Sequence, residues 1–165
     1  MSTTKTALLE AMEAYFNGDD KRIKHARSVT AYAEELLRRE EGDYSTVIGA
    51  SVLHDIGIHQ AEKKYGSTAG KFQEKEGPPI ARQILTGLGF RPDQTEEICE
   101  IIAHHHSPGK INTGNFKILY DADWLVNLKD EYNVENKNKL SDIIDKVFLT
   151  PSGQALARKI YLKED

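Results

Sequence analysis

Apolar residues recur along most of the chain at three-and-four spacing, and no stretch alternates apolar with polar residues between hairpin turn signals. A strand needs a period of two and a helix one of about 3.6, so the pattern restricts the fold to the all-α class. Thr6 to Phe16 carries the first stripe and stops at Asn17-Gly18, a helix-ending pair. Asp19 is placed to cap a second helix, whose stripe of Ile23, Ala26, Val29, Ala33, Leu36 and Leu37 sets His25 beside its apolar face before Glu41-Gly42 ends it. Asp43 can cap a third helix through Val47, Ile48, Ala50, Val52 and Leu53, which delivers His54 and Asp55 at its end.

Beyond this point the punctuation is denser. Residues Gly66 to Gly77 are polar, bear glycine and lack a sustained period, so they read as a loop or a lid over the helices. Pro78-Pro79 then suits a helix start, with Ile80, Ile84, Leu85 and Leu88 as its stripe. Asp93 with Glu96 resembles a capping box for the next helix, which carries Ile98, Ile101 and Ile102 and ends at His104-His105-His106. Phe116 to Leu128 forms a strongly apolar helix that nonetheless contains Asp121 and Asp123. Helices over Lys139 to Leu149 and Thr150 to Leu162 follow, with Thr150-Pro151 as N-cap and first helical residue of the last.

At 165 residues, with 39% hydrophobic and 29% charged side chains, the chain suits one folded domain, 1–165, and is too apolar to be disordered. A formal net charge of −4 and the absence of a long Lys/Arg block argue against a nucleic-acid polymer as partner. No run approaches the roughly 18 apolar residues of a membrane span, which argues against membrane insertion. The single cysteine, Cys99, cannot make an internal disulfide, and the N-terminal stretch lacks a signal-type apolar run, so a cytoplasmic location is expected. A homodimer would be ordinary for so small a chain.

Three features set polar chemistry inside apolar helices: His25, the pair His54-Asp55, and Asp121-Ala122-Asp123. Each has a plain explanation by itself, as a core histidine, a helix terminus or a wetted face. Together they need a cation, because a carboxylate among Leu119, Tyr120, Leu125 and Val126 is costly to desolvate without a charged or donating partner. Imidazole and carboxylate ligands suit one divalent ion: iron, manganese, cobalt, zinc, nickel or magnesium.

The order His25, His54-Asp55, Asp123 resembles the signature of the HD superfamily of metal-dependent phosphohydrolases. The resemblance runs from about Ile23 to Leu128 through HARSV, SVLHDIGI, IIAHHHSP and DADWLVNL, with the C-terminal helices over 139–163 outside it. It implies an HD-domain helical bundle in which His25, His54, Asp55 and Asp123 hold one metal, and a substrate that is a nucleotide or related small phosphorylated molecule. At roughly 100° per residue Asp121 and Asp123 point to nearly opposite sides of a helix. The family pattern Ala-Asp-x-Leu selects Asp123, which leaves Asp121, with His106, as an outer partner that orients a ligand.

On this resemblance a metal-activated water attacks phosphorus. Asp55 then also handles the proton, and His104 or His105 supplies charge or a donor to the phosphoryl oxygens. Lys24, Arg27, Lys71 and Arg82 are candidate phosphate contacts, set against ordinary surface charge. Binuclear members carry another histidine where Gly77 stands here, which disfavours a second metal and, with it, a di-iron oxygenase. A non-catalytic nucleotide-binding signalling module is the remaining alternative, and retention of a residue for every ligand position speaks against it.

Overall fold

A computed structural model describes residues 2–164, and no strand occurs among them. The helices are α1 (Ser2–Phe16), α2 (Asp20–Leu37), α3 (Tyr44–Leu53), α4 (Ile58–Tyr65), α5 (Gly70–Gly87), α6 (Pro92–Ala103), α7 (Gly114–Glu131), α8 (Lys137–Val147) and α9 (Pro151–Tyr161). Capping chemistry starts several of them where the sequence places it. Asp19, Asp43 and Thr150 accept from the backbone N–H groups of Arg22, Thr46 and Gly153 respectively.

Helix α3 is the axis of the bundle. Every residue from Thr46 to Leu53 is buried, because α1, α2, α5, α6 and α7 all pack around it. Its nearly unbroken apolar sequence is the consequence, since a helix enclosed on all sides has no face to spare for charge. The core runs continuously from Leu8 and Met12 of α1 through Leu53 and Ile102 to Leu156 and Tyr161 of α9. None of the described helices is long and apolar enough to cross a membrane.

Three local expectations are corrected. The segment Gly66 to Gly77 is neither loop nor lid: Gly66 closes α4 in a left-handed conformation (φ 67°), and α5 is helical from Gly70 onward. Helix α5 runs through Pro78 and Pro79 rather than starting there, although each proline lacks the N–H that a helix interior uses. What holds it is tertiary packing, with Gln73, Glu76 and Gly77 buried and the Glu76 carboxylate accepting from Tyr65 Oη at 2.8 Å. At the start of α6 the N-cap is Arg91 with Pro92 behind it, and Asp93 lies inside the first turn, where its carboxylate meets Arg91 Nε at 3.1 Å. Helix α4, over a stretch for which the sequence reading proposes no element, buries only Ile58 and Ala61.

The α4–α5 contact fixes the chain just after Asp55. A Cβ on Gly57 would stand 2.5 Å from Gly77 N and 2.7 Å from Gly77 Cα, so the two backbones touch. Gly57→Ala is therefore expected to destabilise the fold by about 1–3 kcal/mol through forced separation of α4 from α5. Urea unfolding measures this, and a midpoint equal to wild type would show that the contact yields without cost.

Candidate metal centre

The central helix ends by turning its polar pair into a cleft between α2 and α7. His54 is the C-cap of α3 and is fully buried, and its Nδ1 lies 2.7 Å from the Ser51 carbonyl oxygen. Only an N–H can bond to that carbonyl, so Nδ1 carries the proton of the neutral ring and the Nε2 lone pair faces the cleft. His25 comes from α2 and Asp123 from α7, two helices that pack side by side. His25 Nε2 lies 3.2 Å from His54 Nε2. Asp55 Oδ2 and Asp123 Oδ1 stand 3.3 and 3.1 Å from His25 Nε2, and each is 3.4 Å from His54 Nε2.

Two ring nitrogens and two carboxylates thus converge on one point. Burial works against a charged His54, yet the Asp55 and Asp123 carboxylates outweigh it and raise its pKa well above the ordinary imidazole value. Burial likewise works against ionised Asp55 and Asp123, and His54 beside both, with His105 at Asp55 and His25 at Asp123, holds the carboxyls well below their usual range. The cluster requires positive charge at its centre, and separations of this size match those between neighbouring ligands about 2.0–2.2 Å from a single divalent ion. His25, His54 and Asp55 form one group able to hold a metal. The donor set therefore fits the ion.

A second group shares Asp55. Asp55, His105 and His106 offer donor atoms that all lie within 4.8 Å of one another. His105 is buried, its Nδ1 lies 2.6 Å from the Ile102 carbonyl oxygen, and its Nε2 has no hydrogen-bond partner. That nitrogen lies 3.4 Å from Asp55 Oδ1. This separation is within ion-pair reach if the ring is protonated, and a lone pair against a carboxylate if it is not.

The cleft above these groups has a volume of about 700 Å³ and is lined on the α2 side by Lys21, Arg22, Lys24, Ser28 and Tyr32. Gln73, His106, Asn127, Lys129, Asp130, Glu131 and Tyr161 also line it. Lys24 is thus the sequence-selected cation that reaches the cleft. Arg27 points away and pairs with Glu13 of α1, Arg82 pairs with Glu96 of α6, and exposed Lys71 lies over the Phe72 ring. His104 is also outside: its Nδ1 bonds to the Glu100 carbonyl oxygen at 3.0 Å.

Asp121 does not orient a histidine. It is fully buried facing the α8–α9 junction, where it accepts from Leu149 N, Thr150 N and Thr150 Oγ1 at 2.9, 2.9 and 2.7 Å. Sequence reasoning passes over Lys21, Ser28 and Tyr32, although at roughly 100° per residue all three lie within about 60° of His25 around α2. Gln73 was hidden by the assignment of its segment to a loop.

Residues 22–146 match the family model described as HD domain. A 1.45 Å crystal structure described as a predicted HD superfamily hydrolase, from an uncultured Thermotogales bacterium, is similar over 94% of this chain and 84% of that one, at 25% identity and a TM-score of 0.69. No curated protein matches the sequence significantly.

Proposed function

Because the chain belongs to the HD domain family, we propose that it is a metal-dependent phosphohydrolase acting on a nucleotide or a related small phosphate ester. The observation that carries this reading is the convergence of His25, His54, Asp55 and Asp123 at 3.1–3.4 Å contacts on the floor of a cleft whose rim carries Lys21, Arg22, Lys24 and Lys129 beside Asp130 and Glu131. The hydrolase description of the structural neighbour agrees with it.

His25, His54, Asp55 and Asp123 would hold a divalent ion, which would supply a Lewis acid and lower the pKa of a water. The chain's own groups do the rest. His105 Nε2, buried and without a hydrogen-bond partner beside Asp55 Oδ1, is placed to accept a proton from the attacking water and to pass it on. Lys24, next to His25 on α2, is placed to receive the phosphoryl oxygens, and Lys21 and Arg22 continue the cationic α2 side of the cleft, opposite a rim of Lys129, Asp130 and Glu131. Of the seven arginines in the chain, Arg22 has no carboxylate partner among the described residues, whereas Arg27, Arg38, Arg39, Arg82, Arg91 and Arg158 each have one. A cleft that leaves its arginine unpaired suits an anionic ligand.

The test strips the protein with chelator, reloads it with manganese, iron or cobalt, and follows phosphate release from phosphomonoesters and nucleotides. Release that depends on the ion supports the reading. Oxygen uptake with two irons and no phosphate release would replace it with an oxygenase, and tight nucleotide binding without turnover would leave a signalling module. Within an active enzyme, Lys24→Ala should raise KM about tenfold, or about 1.4 kcal/mol, with little change in kcat. Arg27→Ala, facing α1, should leave both constants unchanged in the same steady-state assay.

A further inference from the structure

No residue of α2 before Ala26 is buried, yet the cleft takes Lys21, Arg22 and Lys24 from that stretch. A first helical turn lacks internal partners for its N–H groups and frays unless something holds it. Only Ile23, partly buried, packs there against the core. The rest of the hold comes from one carboxylate. Asp19 is presented by the turn between α1 and α2, in which Asn17 and Gly18 take positive φ (46° and 87°) and Asp19 N donates to the Phe16 carbonyl oxygen at 3.2 Å. Its Oδ1 accepts from Arg22 N at 3.3 Å, and its Oδ2 lies 2.7 Å from Nε2 of His59 on α4. A carboxylate can only accept, so His59 Nε2 carries the hydrogen of this bond. The His59 contact holds the Asp19 carboxyl below its usual range.

His59 is itself placed by the segment that carries Asp55. Its neighbour Ile58 lines the cleft and donates its N–H to the Asp55 carbonyl oxygen at 3.0 Å. On the other side the buried Phe16 ring meets the His59 ring edge-on, with 5.2 Å between centroids. The imidazole thus joins the end of α1, the start of α2 and the start of α4. A pair with 41% and 30% of its side chains in solvent adds little to overall stability. Its leverage is local, on a turn that no buried residue secures.

We propose that His59 is a positioning residue that, through Asp19, fixes the first turn of α2 to the Asp55 segment and so sets Lys21 and Arg22 for binding the phosphate group of the substrate. The proposal rests on the reading of the cleft as a phosphate-ester site. It makes affinity for phosphate depend on a contact outside the cleft.

Four full-length variants test this. His59→Ala removes the donor, His59→Gln offers an amide N–H in place of Nε2, and Asp19→Ser keeps an N-cap whose hydroxyl is too short to reach α4. The fourth combines His59→Ala with Asp19→Ser. Amide exchange at Ile23, whose N–H bonds to the Asp19 carbonyl oxygen, should quicken about fivefold in His59→Ala and in Asp19→Ser and keep the wild-type rate in His59→Gln. Calorimetric titration of inorganic phosphate with MnCl2 present should give a dissociation constant about fivefold higher in the same two variants and no higher in the double variant, because both substitutions break one contact. A phosphate affinity of His59→Ala within about twofold of wild type, effects that add in the double variant, or a His59→Gln protein as weak as His59→Ala would each overturn the proposal. Phosphate that fails to bind wild type would instead sink the phosphohydrolase reading. Exchange at Ile23 still decides the role of His59 in that case, since an unchanged rate in His59→Ala overturns the proposal by itself.

Discussion

Asp55→Ala should lose its metal and lower kcat/KM by on the order of a thousandfold or more. The expectation follows from the two faces of one carboxylate. Oδ2 stands against His25 and His54, and Oδ1 lies 3.4 Å from His105 Nε2, so a single truncation removes a proposed ligand and the carboxylate beside the proposed base. Truncating a residue that only orients a ligand commonly costs about 10–100-fold, and a ligand that also organises a base should cost more. The fold should survive, because His54 keeps its bond to the Ser51 carbonyl oxygen and Asp55 lies beyond the C-cap of α3. Melting of the loaded proteins makes the distinction sharp. An ion present at a hundred times its dissociation constant stabilises wild type by about 2.7 kcal/mol, and that increment should vanish in the variant. Metal analysis by plasma mass spectrometry, steady-state kinetics and thermal melts with and without manganese read the three effects; a variant that retains bound manganese and phosphate release would remove Asp55 from the centre.

Much of the bundle is legible in the sequence because helix caps and apolar stripes agree. Asp19, Asp43 and Thr150-Pro151 mark starts that the backbone uses, and Asn17 with Gly18 marks a stop, both at positive φ. The α4–α5 region is obscured for a physical reason. In the part of α5 before the prolines the buried positions are held by Gln73, Glu76 and Gly77, which carry no hydrophobic signal, and Pro78-Pro79 imitates a helix start in the middle of a helix. Packing against α4 and α6 overrides that local preference. Within the site, residues near a motif in sequence are not thereby near it in space. Arg27 is two residues from His25 but roughly 200° around α2, whereas Lys21 and Ser28 share its face. The same half-turn separates Asp121 from Asp123, so one α7 helix serves the His25–His54 cluster and the α8–α9 junction with alternate carboxylates.

That second carboxylate carries the other large effect. Asp121→Ala should destabilise the fold by about 3–5 kcal/mol, since it strands the N–H groups of Leu149 and Thr150 and the Thr150 hydroxyl without their acceptor. Thr150 Oγ1 also accepts from Gly153 N, so the carboxylate anchors the first turn of α9 through a relay. Helix α9 ends at Tyr161, which lines the cleft and donates to the Leu125 carbonyl oxygen, and loosening its start therefore loosens one wall of the site. The same residue gives a pH signature. Burial pushes Asp121 up to about 6 from an ordinary 3.8, against the pull of the Leu149 and Thr150 donors. A carboxyl whose folded pKa is raised binds more proton in the native state, so its contribution is fully present below the unfolded value and is lost as pH rises through the folded one. Two units correspond to about 3 kcal/mol between roughly pH 4 and 7. Urea unfolding of wild type and Asp121→Asn across that range should show the wild-type advantage shrinking as pH rises, because the amide cannot titrate. A difference that stays constant with pH would mean that the donors keep Asp121 ionised throughout, and one that grows with pH would reverse the assignment of which state holds the proton.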